Sequence, residues 1–142
     1  MVQQRFENEN CEYAETYGSK NCYLSFGVGQ QAENILYSSN SYDNIRNILN
    51  SFSVITNSDN IYSSKIITQS YQIFYSSNVH NSSDIRFSNN LMGCRECLFC
   101  YDLSNQSYCI NNQTFSADDY YKQKEWLLKQ KENFIDRHNK VC

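Results

Sequence analysis

The sequence predicts an all-β solenoid. It reads as a flattened, two-sided parallel β-helix of about eight coils of 12–13 residues, followed by one C-terminal amphipathic α-helix. Three observations carry this. From Ile61 to Phe115 an apolar residue returns at every sixth position: Ile61, Ile67, Ile73, Val79, Ile85, Leu91, Cys97, Leu103, Cys109, Phe115. Three residues after each comes a small or polar one, with Ser64, Ser70, Ser76, Ser82 and Ser88 as the clearest run. Finally, hexads that continue with bulky residues (Tyr62-Ser63, Phe74-Tyr75, Arg86-Phe87, Leu98-Phe99) alternate with polar ones (Thr68-Gln69, His80-Asn81, Met92-Gly93, Ser104-Asn105). The true period is therefore two hexads, one for each face of a flat coil.

In chain order, residues 1–20 are expected to form an irregular N-terminal cap, 21–115 the β-solenoid, and 116–142 the C-terminal helix and tail. Within the cap, Asn10-Cys11-Glu12-Tyr13 resembles a degenerate repeat, but a ragged end covering the first coil is the preferred expectation. Equivalent anchors then run through Cys22, Ile35, Ile48, Ile61, Ile73, Ile85, Cys97 and Cys109, spaced by 13 residues for three steps and by 12 afterwards. Asn21, Asn34, Asn47 and Asn60 precede the early anchors, and Gln72, Asp84 and Glu96 the later ones. The extra residue of the early coils belongs in a turn just before these Asn, because an insertion inside a strand would flip its faces.

Alternation along a strand sorts the columns. The anchors of one sheet, face A, point inward and meet Val28, Val54, Ile67, Val79, Leu91 and Leu103 of the other, face B. Ser25, Ser38, Ser51, Ser64, Ser76 and Ser88 sit where the chain turns, where a hydroxyl bonds backbone groups that lack a ladder partner. The Asn column is expected to stack as an amide ladder at the opposite edge. The residues that follow the face A anchors should point outward, and they read Tyr23, Leu36, Leu49, Tyr62, Phe74, Arg86, Leu98, Ile110. That apolar stripe is the candidate interaction surface. It is matched on face B by the more polar Gly29, Tyr42, Ile55, Thr68, His80, Met92 and Ser104.

Ser116 followed by Asp118 and Asp119 is a helix start, with acids suited to the N-terminal dipole. Tyr120, Tyr121, Leu127, Leu128, Phe134 and Ile135 fall on one side at helical spacing. A helix over 117–138 would span about 33 Å at 1.5 Å per residue, close to the length of the stripe. It is expected to fold back along face A or to cap the last coil, with a second subunit as the alternative cover.

The chain has 142 residues and a net charge of -3, so no basic surface advertises nucleic acid. No run is long enough to span a membrane. The opening MVQQRFENEN has no apolar core of a signal peptide, which favours a cytoplasmic protein. Seven cysteines cannot all pair internally, so reduced thiols or a metal site are expected. Cys94, Cys97, Cys100 and Cys109 are the one cluster with metal-like spacing, suited to zinc or iron–sulfur ligation. Against this, Cys97 and Cys109 occupy the anchor column, and Cys94 and Cys100 replace Ser in the corner column. On a flat coil Cys94 and Cys100 fall at opposite edges, so a core role is preferred. Cys97 over Cys109, and Cys11 over Cys22, are within stacking reach, and Cys142 is a terminal thiol. His80 and His138 have no partner at a catalytic spacing, and neither a phosphate loop nor a nucleophile elbow is present.

SKNCYLSFG at 19–27, the run of N-I-x-x-S coils, GCRECLFCYDLSNQSYCINNQTFS at 93–116 and the closing helix together resemble a poorly characterised group of Cys-rich repeat proteins of candidate-phyla bacteria and large phages. The resemblance covers about residues 10–130. Fuller members carry an N-terminal zinc-ribbon-like module, which is absent here, and most repeat cysteines are replaced by Ile, Val or Ser. The resemblance implies the solenoid and no particular activity.

The expected function is that of a non-catalytic structural, binding or assembly module, not an enzyme and without a cofactor. Its partner would be its own helix or another subunit, as in a homo-oligomer. The first alternative is a zinc or iron–sulfur module on the four cysteines. The remote one is a hexapeptide-repeat acyltransferase, whose three-hexad coil and histidine-bearing loop the sequence lacks.

Overall fold

The computed structural model describes the backbone of residues 9–12 and 15–139, and their side chains as far as Gln130 except that of Glu15. The expectations placed on Tyr13, Cys142 and the side chains of Phe134, Ile135 and His138 lie outside the described residues. Seventeen short strands precede one helix: β1 (Glu15–Thr16), β2 (Ser19–Tyr23), β3 (Phe26–Val28), β4 (Ala32–Leu36), β5 (Ser39–Ser41), β6 (Ile45–Leu49), β7 (Phe52–Ile55), β8 (Asp59–Tyr62), β9 (Lys65–Thr68), β10 (Tyr71–Phe74), β11 (Ser77–His80), β12 (Ser83–Arg86), β13 (Asn89–Met92), β14 (Arg95–Leu98), β15 (Tyr101–Ser104), β16 (Ser107–Ile110), β17 (Gln113–Thr114) and α1 (Ala117–Asn139). The even-numbered strands form one parallel sheet, face A, ended by β17, and the other odd-numbered strands form the second, face B. This is the two-sided parallel solenoid that the period of two hexads requires.

Register follows the anchors without a slip. Cys22, Ile35, Ile48, Ile61, Ile73, Ile85, Cys97 and Cys109 are successive partners down face A. The 13-residue coils hold their additional residue in turns, where Asp43 and Asn44, then Thr56 and Asn57, are consecutive left-handed residues. The ladder is therefore undisturbed.

Pairing begins earlier than the expected cap allows. Glu9 bridges Lys20, Glu12 bridges Tyr23, and β1 pairs with β3, so residues 9–12 and 15–16 pair with the first coil as a partial coil does. Cys11 packs against the core beside Cys22, and a Glu9–Lys20 ion pair of 3.0 Å closes the same step.

The strands do not alternate as plain pleated strands would. From Asn57 to Asn111 every third residue has a positive φ, for example Asn60 (57°), Ser63 (46°), Ile66 (57°) and Gln69 (49°) in one coil. A left-handed residue inside a strand kinks it as a bulge does and re-aims the next side chain. Burial consequently recurs every third residue: Ile61, Ser64, Ile67, Ser70, Ile73, Ser76, Val79, Ser82. From Ser58 to Leu91 each coil points four side chains inward, two large on the faces and two small at the corners. A fully buried Ile contributes about 2 kcal/mol through its apolar surface.

The corner serines do more than fit. Ser76 Oγ donates to the Phe74 carbonyl (2.9 Å) and accepts from the Ser88 amide of the next coil (3.1 Å). The same pair of bonds recurs at Ser38, Ser51, Ser64 and Ser88 on one corner, and at Ser70 and Ser82 on the other. A buried amide that the kink removes from the backbone ladder thus finds a hydroxyl.

The Asn ladder exists, at 3.0, 2.9 and 3.2 Å through Asn21, Asn34, Asn47 and Asn60. It runs down the middle of face A and not along an edge, because these are the kinked residues within the strands. Asn tolerates the left-handed region better than other non-glycine residues. At the C-terminal end β17 folds antiparallel onto β16, and the Asn112 amide pairs with both backbone groups of Tyr101, at 2.9 Å each. Both features blunt an exposed sheet edge.

Candidate functional site: the cysteine-lined end, the helix dock and an aromatic edge

Cys94, Cys97 and Cys100 fill three of the four inward positions of one coil, and Cys109 sits under Cys97 in the next. Cys94 and Cys100 stand at opposite corners of that coil, as expected, beside Ser82 and Ser88 of the two serine columns, with Cys97 between them on face A. The neighbouring Cys100 thiol and burial hold the Cys97 thiol up. The same neighbour pulls Cys100 down against the effect of burial, with the backbone N–H of Asn112 helping. Cys94 also donates to the Leu103 carbonyl (3.4 Å), and Cys109 lies against Thr114 Oγ1 (3.5 Å). Among the described residues no group of three or more His, Cys, Asp or Glu is arranged to hold a metal ion. At the opposite end burial, with Cys11 alongside, pushes the Cys22 thiol up to about 12.

Helix α1 starts as its sequence directs. Ser116 Oγ accepts the Asp119 amide (3.2 Å) and donates to the Asp119 carboxylate (2.7 Å), a reciprocal cap. Its first two turns lie on face A over β14 and β16. Tyr120 is buried against Tyr108, with ring centroids 5.7 Å apart. Glu96, only 7% exposed, receives the Tyr121 hydroxyl (3.0 Å) and the Lys124 ammonium (2.7 Å). Burial alone would raise the Glu96 carboxyl, but Lys124 and the two tyrosines outweigh it and hold it below its ordinary value. The cover is partial. Of the stripe, Leu98 is buried, Leu49, Tyr62, Phe74 and Ile110 are half-buried, and Tyr23 and Leu36 stay exposed. Trp126, two residues past Lys124, is 57% exposed.

The corner that leads from face A to face B carries a second feature. Its left-handed residues are Leu24, Tyr37, Asn50, Ser63, Tyr75, Phe87, Phe99 and Asn111. Tyr75 stacks on Phe87 (5.1 Å, interplanar 1°) and Phe87 on Phe99 (5.2 Å, 17°), while Tyr62 meets Tyr75 edge-on (5.2 Å) and Tyr23 meets Tyr37 edge-on (5.7 Å). All four corner rings remain exposed. Between Tyr37 and Tyr75 the small Asn50 and Ser63 open a cleft of about 610 Å³, whose far wall is Phe52 and Lys65. Sequence reasoning registered these rings only as marks of bulky hexads. The overlooked signal was phase: Asn60, Asn78, Asn81, Asp84, Asn90, Gly93, Asp102 and Asn105 share one three-residue frame, and the aromatic residues Tyr75, Phe87 and Phe99 stand in that same frame.

His80 is half-buried on the outer side of face B, in register with Thr68 and Met92. No helix among the described residues is long and apolar enough to cross a membrane. No protein-family model, curated protein or solved structure matches this chain.

Proposed function

We propose that this protein is a non-catalytic binding module: a rigid β-solenoid that presents its aromatic corner to a ligand. One observation carries the reading. Bulky side chains occupy left-handed positions where Asn or Gly would be better, and their rings are left in water. A left-handed bulky residue costs about 1–2 kcal/mol, and an aromatic stack returns about 0.5–1.5 kcal/mol. The ring column therefore adds little to stability, and its retention is explained by contact with something else.

A parallel inside the molecule supports this. Down the middle of face A the left-handed column reads Asn21, Asn34, Asn47, Asn60, Gln72, and then changes to Asp84, Glu96 and Tyr108 where α1 lands. There, departure from Asn coincides with a docked partner. At the aromatic corner Tyr37, Tyr75 and Phe99 depart in the same way, their rings exposed.

The test is thermal unfolding of Tyr75→Asn, Phe87→Asn and Phe99→Asn, singly and together. Melting temperatures unchanged or raised support a binding role for the rings. A combined loss above about 2 kcal/mol, larger than the stacks can account for once strain is relieved, would make the column structural and remove the basis for the reading.

A further inference from the structure

We infer that the cleft between Tyr37 and Tyr75 is a saccharide-binding site, taking an uncharged oligosaccharide along the solenoid axis. The inference rests on the binding reading above and gives it a location and a ligand class. Tyr37 and Tyr75 stand three coils apart, about 14 Å at the usual spacing of paired strands, and Asn50 and Ser63 between them are too small to fill the gap. Each bounding ring is braced from outside the cleft. Tyr37 is met edge-on by Tyr23, and Tyr75 is stacked on Phe87. The site is thus preorganised, which lowers the cost of binding.

The lining chooses among ligand classes. An added peptide strand needs free backbone groups, but the amides of Phe52, Ser63 and Lys65 are already bonded to Ser64, Leu49 and Ser76 carbonyls at 3.0–3.1 Å. An amphipathic helix needs a continuous apolar groove, whereas the Asn50 amide and the Ser63 hydroxyl, joined by a hydrogen bond of 3.1 Å, interrupt the aromatic surface here. A polyanion needs a basic surface, and Lys65 is the single cation in the lining of a chain with net charge -3. An uncharged sugar chain fits what remains: the C–H faces of its rings lie on Tyr37, Tyr75 and Phe52, and its hydroxyls meet Asn50, Ser63 and Lys65. Few polar groups among aromatic walls is the common composition of a small-ligand site.

Cellopentaose and chitopentaose, titrated separately into the full ¹⁵N-labelled chain, test this. Expected are saturable shifts confined to amides of residues 37–77, and binding weakened about tenfold or more by Tyr75→Ala and by Tyr37→Ala. Asn50→Ala and Lys65→Gln weaken it as well and leave the fold intact, which covers the case of a tyrosine variant that fails to fold. No saturable shift with either sugar overturns the proposal, as does binding indifferent to all four substitutions. A dimer that Tyr75→Asn dissociates also overturns it and gives this edge to a second copy. If the sugars fail while the Asn replacements leave stability unharmed, the binding reading survives and only the ligand class falls.

Discussion

The solenoid has two long edges, and they obey different rules. Where the chain passes from face B back to face A, the left-handed residues are Gly18, Gln31, Asp43, Asn44, Thr56, Asn57, Gln69, Asn81, Gly93 and Asn105. Where it passes from face A to face B they are Leu24, Tyr37, Asn50, Ser63, Tyr75, Phe87, Phe99 and Asn111. Both edges hold a left-handed residue in each coil, and serine hydroxyls lie beneath most of both, interrupted by Ala32, Ile45 and Cys94 under the first and by Cys100 under the second. The amide edge therefore displays what the fold asks for. At Gly93 even a Cβ would come within 2.4 Å of Asn105 Oδ1. The aromatic edge displays what the fold merely tolerates. Subtracting one from the other isolates the residues that stability does not explain.

The largest expected effect concerns the one place where such a departure has a visible partner. Lys124→Ala leaves the Glu96 carboxylate buried without its cation, at a cost of about 3 kcal/mol to docking of α1. Hydrogen exchange should show the helix amides losing protection while the coils keep theirs. Replacing Glu96 by Asn, the residue this column uses elsewhere, should restore much of the loss in the Lys124→Ala background. If both variants keep a fully protected helix, the ion pair is not what holds it.

Next come the inner hydroxyls, which test whether the two edges share one support. Ser76→Ala lies under the aromatic edge and Ser82→Ala under the amide edge. Each strands a buried amide, of Ser88 and of Cys94 respectively, so each should cost about 2 kcal/mol by urea denaturation. Costs that differ several-fold would mean that the edges differ internally, and the comparison of their outer residues would lose its control.

Smaller again is the swap of surface residues. Asn81→Tyr imports a strained ring onto the amide edge and should destabilise by about 1–2 kcal/mol, because Gln69 and Gly93 on either side offer it no aromatic stack. Tyr75→Asn on the other edge should change stability by less than about 0.5 kcal/mol, strain relief offsetting two lost ring contacts. Equal costs at both edges would show that neither edge is specialised.

Much of this molecule was legible in its sequence, and the reason is register. A parallel ladder with an inward anchor every coil leaves a strict 12-residue trace, so Ile61, Ile73, Ile85 and Cys97 could be aligned by eye and are indeed successive partners. The serine corners were legible for the same reason. The frame of three was less so. Hydrophobic pattern alone gives period six, and only the Asn, Asp and Gly residues in phase report the left-handed kinks that make burial recur every third residue. The degenerate first coil was visible in Asn10-Cys11-Glu12-Tyr13 but passed over for a ragged end, because Cys11 stands in for an aliphatic anchor. The aromatic edge was invisible as a site because Tyr75 or Phe87 reads as a strand residue until its backbone conformation is known. Glu96 looked like one more member of an amide column, and nothing local marks it as the residue that Lys124, 28 positions later, will reach.

The smallest effect is a pH dependence confined to the helix dock. Glu96 has a depressed carboxyl, so its stabilising contribution is present above the ordinary Glu value of about 4.3 and is lost as pH falls through its lower folded value. Asp84 faces the same ammonium, with Arg86 and Arg95 nearby, but burial and the Glu96 charge raise its carboxyl. Its sign is opposite: the folded state gains as Asp84 takes up a proton, and loses that gain as pH rises through the raised value. Docking of α1 should therefore strengthen slightly on first acidification and then weaken as pH falls through the lowered Glu96 value. Hydrogen exchange of the helix amides across this range reads both limbs. Asp84→Asn should remove the initial rise and keep the acid loss, whereas Glu96→Asn should remove the acid loss. A helix equally protected at every pH would mean that the carboxylates are bystanders to a dock made by Tyr120, Tyr108 and Leu98, and that departure from Asn in a left-handed column does not by itself mark a contact.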